Sequence, residues 1–248
     1  MATTEETLIE IDPRVHVASR HDTRFSEVST RARSVDDRSL GTESRVIAAC
    51  DPLAEATEAL RGVRTALMLR WFSDTRKTLA VSEARSGEGS APLAANLAVL
   101  FAQLGRRTLL IDANLRNPTQ HLLFGVRAGA GLAEALANRS FSLHGATPVA
   151  ALDSLSLMQA GVVPSNAQEL LGGEAFRFLV ETAAVEFDVV IIDTSAVLDS
   201  ADAQIVSACA GGCLFAIRRH ETRVADFEEM RNLIAASGSV VVGAVVAP

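Results

Sequence analysis

The sequence predicts an α/β protein with a mostly parallel β-sheet and helices on both faces. Strand-like and helix-like stretches alternate from residue 79 to the end of the chain, which is the pattern that builds parallel sheets. The most apolar stretches are short and show no polar alternation, as expected for strands that are buried on both faces. A loop of small residues joins the first of these strands to an Ala/Leu-rich helix. We therefore predict one α/β domain over 51–248.

The first 50 residues are predicted to form a disordered or weakly ordered tail. They mix charged, Ser and Thr side chains with few large apolar residues and show no sustained period. Order is predicted to begin near Asp51, where an Asp-Pro pair opens a helix. The apolar positions that define one face of this helix are Leu53, Leu60, Val63, Leu67 and Trp71.

The other elements follow from the spacing of apolar residues along the chain. The first strand begins at Leu79 and is followed, after the loop, by a helix. Further strands are predicted at 108–112, 155–158, 187–193, 212–217 and 240–246. Further helices are predicted at 120–124, 132–137, 166–184, 199–208 and 222–236.

Composition and charge exclude several classes of function. A formal net charge of -7 provides no basic footprint for nucleic acid. The N-terminus carries acids where a signal peptide needs a basic region, and no apolar run approaches the ~20 residues of a membrane span. The three cysteines, Cys50, Cys209 and Cys213, are too few for a disulfide framework in a chain of 248 residues. We expect a cytoplasmic protein that reaches a membrane only through a partner.

The loop after the first strand has the architecture of a phosphate-binding loop, so the predicted fold is P-loop NTPase-like. Gly87 and Gly89 allow backbone N–H groups to turn toward phosphates, and the helix that follows contributes its N-terminus. A working loop also needs Lys and then Ser or Thr after its last glycine, to reach the β/γ-phosphates and to hold Mg²⁺. This chain has Ser90 and Ala91 at those positions, followed by Pro92.

No nearby lysine replaces the missing one. Lys77 is the only lysine of the chain and lies at the entrance of the strand. A strand rises ~3.3 Å per residue, which puts Lys77 well over ~10 Å from the loop. Arg85, inside the loop, is the nearby cation. Two interpretations stay open: a strand-to-helix turn without a ligand, and a nucleotide site that binds Mg-ATP or Mg-ADP weakly.

Two predicted strands end in an aspartate, at Asp112 and Asp193. Ligands of open parallel sheets bind beyond the carboxyl ends of the strands, so both carboxylates are expected at the edge that carries the loop. An aspartate at that place holds or orients Mg²⁺ and its waters, which makes both residues candidate metal ligands. The alternative is that each aspartate starts a turn or caps the next helix.

Three segments of the chain form a set of motifs. They are Ser86-Gly-Glu-Gly-Ser-Ala-Pro92, Ile111-Asp-Ala-Asn-Leu-Arg-Asn-Pro118 and Ile191-Ile-Asp-Thr-Ser-Ala196. The set resembles the bacterial tyrosine kinases of polysaccharide chain-length control, and most closely the exopolysaccharide chain-length-determinant branch. The corresponding family motifs look like Pro-Gly-Glu-Gly-Lys-Ser-Thr, Ile-Asp-Ala-Asp-Leu-Arg-Arg-Pro and Ile-Ile-Asp-Thr-Pro-Pro. The resemblance runs from about Asp51 to Val246.

The helix at the start of the domain carries Glu58, Arg61 and Arg64 at steps of three residues. This spacing puts three charges along one polar face of a helix, where pairing within the helix is the ordinary interpretation. The segment also resembles the subunit-contact motif of the family. The resemblance therefore implies a homo-oligomer that assembles through these residues.

The resemblance also implies a set of site residues, and the departures from the family fall on their chemistry. Asn114 stands where the family has a second acid, and an amide can neither take a proton from a tyrosine hydroxyl nor match the charge of a carboxylate. The 248 residues contain no tyrosine, so autophosphorylation on tyrosine is not expected. The implied nucleotide-binding residues are Gly87, Glu88, Gly89, Ser90, Ala91, Pro92 and Arg116. The implied catalytic residues are Asp112, Asn114 and Asp193.

The function implied by the resemblance is that of a subunit in exopolysaccharide biosynthesis and export. It would control chain length at the inner membrane together with an integral membrane polysaccharide co-polymerase. Losing the lysine, the hydroxyl and one carboxylate should remove most of the rate of phosphoryl transfer, so the first hypothesis is a catalytically impaired protein that acts by assembly. The alternative is an active Mg-ATP-dependent tyrosine kinase acting on a partner, with Arg85 or a neighbouring subunit's arginine replacing the lysine. A partitioning-type ATPase is the third hypothesis.

Overall fold

The computed structural model describes residues 46–51, 53–139, 143–150 and 152–247 of the chain. Within these ranges, the strands are β1 (Thr78–Glu83), β2 (Thr108–Asp112), β3 (Ala146–Val149), β4 (Leu152–Met158), β5 (Val189–Asp193), β6 (Gly212–Arg218) and β7 (Val240–Ala247). The helices are α1 (Ile47–Cys50), α2 (Glu55–Arg70), α3 (Ser90–Ala102), α4 (Gln120–Leu123), α5 (Leu132–Ala137), α6 (Ala167–Gly172), α7 (Glu174–Glu186), α8 (Asp202–Ala210) and α9 (Val224–Ala236).

The strands form one seven-stranded sheet in the order β3-β4-β2-β5-β1-β6-β7. Neighbouring strands are parallel, except that β3 runs antiparallel to β4 at one edge. This architecture confirms the predicted α/β class with a mostly parallel sheet. The sequence did not predict β3, which is short, half-exposed and interrupted by Pro148. Proline is tolerated at a sheet edge because no further strand needs its missing N–H group.

Helices cover both faces of the sheet, because successive side chains of each strand point to opposite sides. Leu79 and Val81 of β1 join one apolar cluster with residues of α2 and α3. Ala80, between them, joins a second cluster with residues of α5 to α9. The interior strand β1 is therefore buried on both faces, which explains why its sequence lacks polar alternation.

Two predicted helices have different bounds in the structure. The first begins at Glu55, which leaves Leu53 outside the helix and 93% exposed, so its assignment to the apolar face was wrong. The predicted helix 166–184 is two helices, α6 and α7, separated at Gly173 in an extended conformation. None of the helices in the described ranges has the length and apolar character needed to cross a membrane.

The segment that follows β5 also differs from the prediction of a helix from residue 199. The backbone N–H groups of Thr194, Val197 and Leu198 donate to carbonyl groups of β1 and the residue after it, at 3.1, 2.9 and 3.1 Å. The chain therefore continues alongside the end of β1 before α8 begins at Asp202. This path brings residues 194–201 next to the loop that follows β1.

Residues 46–50 pack onto the domain ahead of Asp51. Val46 and Ala48 are buried, Asn96 Oδ1 accepts the N–H of Ala48 at 2.9 Å, and Gln103 Nε2 donates to the Ala48 carbonyl at 3.0 Å. This short stretch belongs to the range assigned to the tail, and it covers one side of α3. The rest of the predicted tail, residues 1–45, lies outside the described residues, so its disorder stays a prediction.

Candidate functional site

Three neighbouring strands end in a buried carboxylate at the same edge of the sheet. Glu83 ends β1, Asp112 ends β2 and Asp193 ends β5, and all three side chains are buried. The strand order places β5 between β1 and β2, with Asp112 opposite Asp193 in the register. The topology therefore brings the two predicted aspartates together, and it adds Glu83 as a third acid beside the loop.

The loop after β1 turns its backbone N–H groups toward the carboxylate of Glu83. Gly87 and Gly89 adopt φ values of 104° and 117°, which glycine reaches without a steric penalty. Glu83 Oε1 accepts the Gly87 N–H at 2.9 Å, and Oε2 accepts the N–H groups of Gly89 and Ser90 at 2.6 and 2.9 Å. We call these three N–H groups the amide cradle. In this structure the amide cradle holds a side chain of the same chain.

Two further acids hold the outer side of the loop. Asp199 Oδ2 accepts the N–H of Ser86 at 3.0 Å and its hydroxyl at 2.7 Å. Asp226 of α9 receives Arg85 through Nε at 3.1 Å and Nη2 at 3.2 Å, and this hydrogen bond lowers the pKa of Asp226. Arg85 is thus directed to α9 in this structure, and its replacement of the loop lysine stays a hypothesis.

Glu88, predicted to bind nucleotide, turns inward. Its side chain is buried and its Oε2 accepts the Ala84 N–H at 3.3 Å. Burial raises the pKa of Glu88, and the nearby charge of Glu83 adds to the increase. The side chain of Glu88 therefore stabilises the shape of the loop, and the predicted contact of Glu88 with nucleotide stays a prediction.

The residues after the loop begin α3. Ser90 is the first residue of the helix, followed by Ala91 and Pro92. A proline is tolerated in the first turn, because the N–H groups of that turn have no partner within the helix. This turn therefore folds without the lysine and hydroxyl that would neutralise phosphate and hold Mg²⁺.

Asp112 caps the short helix α4 with its carboxylate. Its Oδ2 accepts the N–H groups of Thr119 and Gln120 at 3.2 and 3.0 Å, and its Oδ1 accepts the Asn114 N–H at 3.2 Å. Burial raises the pKa of Asp112 to about 6, although these hydrogen bonds act in the opposite direction. The capping alternative from the sequence is therefore realised at Asp112.

Asp193 is as fully buried as Asp112, and its side chain is bound by an amide. Gln120 Nε2 donates to Asp193 Oδ2 at 2.7 Å and to the Ala91 carbonyl at 3.0 Å, which links β5 to the first turn of α3. Asp193 Oδ1 has no hydrogen-bond partner among the described residues. Burial, and then the charge of Asp112, raise the pKa of Asp193 well above its usual value.

Asn114 and Arg116 are engaged in contacts that shape the segment after β2. Asn114 Oδ1 accepts the Asn117 N–H at 3.1 Å, which closes a turn. Arg116 pairs with the buried Asp202 of α8 through Nε at 2.6 Å and Nη2 at 3.2 Å. Arg116 therefore anchors this segment to α8, and its predicted contact with nucleotide stays a prediction.

A magnesium nucleotide does not fit the residues as they are arranged. The amide cradle is filled by a carboxylate, and both oxygens of Asp112 already accept backbone N–H groups. Asp193 Oδ1 is a buried carboxylate oxygen without a partner, and the neutral oxygens Thr119 Oγ1, Gln120 Oε1 and Thr194 Oγ1 are also unpartnered. No group of three or more metal-binding side chains occurs in the part of the chain that the structure describes. Bringing a triphosphate to these acids without a lysine would place like charges together.

The predicted contact residues lie on α2, which packs against α3. Glu58 Oε2 and Arg61 Nη1 form an ion pair at 2.8 Å, as the spacing of three residues predicted. Arg64 Nη1 donates to the Leu100 carbonyl at 3.3 Å, and burial lowers the pKa of this arginine. Arg64 thus ties α2 to α3, whereas Glu58 remains exposed.

Sequence reasoning missed Glu83 and Gln120, which both contact the loop or the aspartates. Glu83 carried a signal, because it ends an apolar strand in the same way as Asp112 and Asp193. The role of Gln120 had no such signal, since it depends on how α4 folds over the end of β2. Asp199, Asp202 and Asp226 were also missed, because each meets its arginine or loop partner only through the tertiary fold.

Replacing Asp193 by asparagine is expected to stabilise the protein near neutral pH. The raised pKa means that the folded chain loses stability as pH rises through the folded pKa values of Asp112 and Asp193, and each unit of pKa shift corresponds to about 1.4 kcal/mol. An asparagine keeps an oxygen for Gln120 and carries no charge. We expect a higher melting temperature than that of the parent chain at about pH 8, and a difference that disappears toward about pH 4.

Thermal melts over this pH range would measure the effect, with Asp202→Asn as the matched control. Asp202 is equally buried but pairs with Arg116, so the control is expected to lose stability at about pH 8. A lower melting temperature for Asp193→Asn at that pH would contradict the prediction.

Comparison with known proteins gives a consistent set of relatives, although no protein-family model matches the chain. The tyrosine-protein kinase YwqD of Bacillus subtilis is 34% identical over 203 residues, which span 82% of this chain and 85% of that protein. The putative tyrosine-protein kinase CapB of Staphylococcus aureus is 28% identical over 194 residues, or 78% of this chain and 85% of that protein.

Solved structures agree with these relatives. The chimerical protein CapA2B2 superposes with a TM-score of 0.76 at 30% identity, covering 82% of this chain and 88% of that chain. The kinase domain of the Escherichia coli tyrosine kinase ETK gives 0.76 at 28% identity, covering 82% and 79%. A cobyrinic acid a,c-diamide synthase with bound ADP and magnesium, at 18% identity and a TM-score of 0.59, shares the fold alone. The predicted P-loop NTPase-like fold is confirmed.

Proposed function

The chain belongs to the family of bacterial tyrosine-protein kinases, and from this premise we propose that it is a catalytically impaired member that acts by assembly. The family predicted from the three motifs is thereby confirmed. On the basis of its similarity to these kinases, we propose that the protein acts in exopolysaccharide biosynthesis and export, on the cytoplasmic side of the inner membrane. Its partner there would be an integral membrane polysaccharide co-polymerase that controls chain length.

The proposed loss of catalysis rests on the charged groups around the loop. Ser90 and Ala91 replace the lysine and the hydroxyl, while Arg85 and Arg116 are directed to Asp226 and Asp202. Phosphoryl transfer depends on positioning and on neutralising the charge of the transferred group, and one cationic group alone contributes about 10³-fold or more to kcat. A site that presents carboxylates in place of a lysine is therefore expected to lose most of its rate.

Assembly is supported by the complete set of Glu58, Arg61 and Arg64 on α2. Replacing Arg61 and Arg64 by glutamate is expected to reduce the mass of the oligomer formed by the full chain, measured by light scattering. The intrahelical pair of Arg61 with Glu58 contributes only about 0.2–0.5 kcal/mol, so a variant changed at Arg61 alone tests the contact without unfolding α2. Arg70→Glu, in the last turn of the same helix, is the matched control.

A parent chain that is monomeric, or an oligomer whose mass is unchanged in the Arg61→Glu variant, would contradict this mode of assembly. Circular dichroism of each variant would establish that α2 and the rest of the fold are intact. We expect the control variant to keep the mass of the parent oligomer.

The alternative function is an active Mg-ATP-dependent kinase that phosphorylates tyrosine on a partner. It is favoured by the names of the relatives, which are tyrosine-protein kinases at up to 34% identity. The test is transfer of radiolabelled phosphate from ATP to a tyrosine-containing polypeptide such as a Glu/Tyr copolymer. Transfer that disappears in Asp112→Ala would establish the kinase and overturn the proposed function, and transfer no higher than background would support the proposed function. The third hypothesis is a partitioning-type ATPase. Such an enzyme also needs the loop lysine that this chain lacks, and no further observation supports this hypothesis.

A further inference from the structure

The amide cradle has the geometry of an oxyanion site, and one of the chain's own carboxylates fills it. Three N–H groups donate to Glu83 at 2.6 to 2.9 Å, a distance range typical of hydrogen bonds to charged acceptors. The N-terminus of the 13-residue helix α3 adds a partial positive charge at the same place. A phosphate oxygen bound by such a loop would use the same donors.

We propose that Glu83 is a built-in anion that closes the loop and competes with phosphate for the amide cradle, an inference that rests on the proposed function because both concern the same loop. The competing ligands belong to one chemical class, the oxyanions. This class includes inorganic phosphate and the terminal phosphate of a nucleoside diphosphate. Glu83 is thus a positioning residue that holds the loop in its closed form.

The backbone of Glu83 is fixed, so only its side chain could leave the amide cradle. Strand β1 lies between β5 and β6, and Glu83 is paired with Ala216 of β6. The Glu83 carbonyl also accepts the N–H of Val197 at 2.9 Å. The carboxylate therefore stays beside the loop in any conformation that keeps the sheet intact.

Outside the amide cradle, neither Arg85 nor Arg116 is available as a cation for Glu83. Its charge already acts on Asp193 and on Glu88, and both effects are unfavourable to a second negative charge. The arginines nearest in sequence to the two motifs, Arg85 and Arg116, are held by Asp226 and Asp202. The three N–H groups are therefore the favourable place for this carboxylate, and an incoming phosphate must displace it.

The experiment is rescue of a Glu83→Ala variant of the full chain by a small anion. Removing the carboxylate leaves three N–H donors without their acceptor, so the variant is expected to melt at a lower temperature than the parent chain. Inorganic phosphate, and formate as a carboxylate of matching chemistry, are expected to raise that temperature relative to sodium chloride at equal ionic strength. Calorimetry should show phosphate binding at least about tenfold tighter to the variant than to the parent chain.

Two further variants keep the test decisive if Glu83→Ala does not fold. Glu83→Gln preserves the size of the side chain but presents an amide N–H₂ to the donors, and it should also gain phosphate affinity. Asp226→Ala is the matched control, because it removes an acid near the loop and leaves the amide cradle filled. Gain of phosphate binding in the Glu83 variants alone would support the proposal, and equal binding in the parent chain and all variants would overturn it.

The phosphate-binding experiment and the kinase assay test the two proposals separately, so either proposal can be contradicted while the other is supported. Transfer of phosphate to tyrosine by the parent chain would overturn the proposed function, while a gain of phosphate binding in Glu83→Ala would still support closure of the loop. If phosphate and formate do not raise the melting temperature of a folded Glu83→Ala variant, the proposed role of Glu83 is wrong. The proposed loss of catalysis would then still be supported by Ser90 and Ala91.

Discussion

Replacing Gly131 by alanine is expected to lower the free energy of unfolding by about 3 kcal/mol, the upper part of the range for overpacking a well-packed site. Gly131 precedes α5, where the chain passes the end of β4. An alanine Cβ would overlap the Gln159 carbonyl group and would lie 2.7 Å from the Gly161 N atom. Both obstacles are backbone, so no side-chain rotation relieves them.

The same segment is held by several hydrogen bonds that prevent it from moving away. Leu132 and Ala133 donate their N–H groups to the carbonyl groups of Gln159 and Ala160 at 2.8 Å each, and Glu134 accepts the Gly131 N–H at 2.7 Å. A shift that made room for a methyl group would lengthen these bonds. For a domain of this size, the expected loss corresponds to a fall of roughly 6–12 °C in melting temperature.

Gly62→Ala is the matched control for this substitution. Gly62 lies in the interior of α2, and an added Cβ would meet no atom within 4 Å. Alanine is favoured over glycine inside a helix by roughly 0.5–1 kcal/mol, so the control should melt at a higher temperature than the parent chain. Similar melting temperatures for the two variants would contradict the predicted close contact at Gly131.

Rebuilding the loop is expected to have the largest effect on ligand binding. The variant Glu83→Ala/Ser90→Lys/Ala91→Thr empties the amide cradle, adds a cation beside it and provides a hydroxyl for Mg²⁺. The new lysine and the three freed N–H groups can form hydrogen bonds to the charged phosphates, each worth about 1.5–3 kcal/mol, so affinity for Mg-ADP should rise at least about a hundredfold over that of the parent chain. Isothermal calorimetry on the full chain measures this directly.

The control keeps Glu83 and changes only Ser90 and Ala91. Its new lysine would stand beside the carboxylates of Glu83 and Asp193 and pair with them, so its gain in Mg-ADP affinity should be smaller than that of the triple variant. If the two variants bind Mg-ADP equally, Glu83 does not compete with phosphate. If neither gains affinity although both fold, the missing lysine and hydroxyl are not what limits binding.

The buried parallel strands could be predicted from the sequence because their short, continuous apolar runs are stable only where both faces of the strand are buried. The bounds of β2 match the predicted 108–112, and β5, β6 and β7 lie within one or two residues of theirs. The break between α6 and α7 could not be predicted with the same certainty, because glycine lowers helix propensity without forbidding a helix. The edge strand β3 was missed since its sequence carries no apolar pattern, and it exists because β4 offers it a pairing edge.

The site was predictable where a residue's role follows from its place on a strand. Asp112 and Asp193 came from two apolar runs that end in an acid, and their meeting in the structure follows from the strand order. The partners that hold Arg85 and Arg116 lie on α9 and α8, more than eighty residues away along the chain. Such pairs are set by how helices pack on the sheet, and local sequence contains no information on them.

The bonds between Glu83 and the amide cradle also bear on how this protein responds to the state of the cell. A loop that depends on bound nucleotide for its shape changes with the ratio of ATP to ADP, and so reports the energy charge of the cytoplasm. Here the acceptor is part of the chain, present at a fixed stoichiometry and unable to diffuse away. The loop therefore keeps this shape without a bound nucleotide, and under the proposed competition a change in cellular phosphate or nucleotide acts on it only by displacing Glu83.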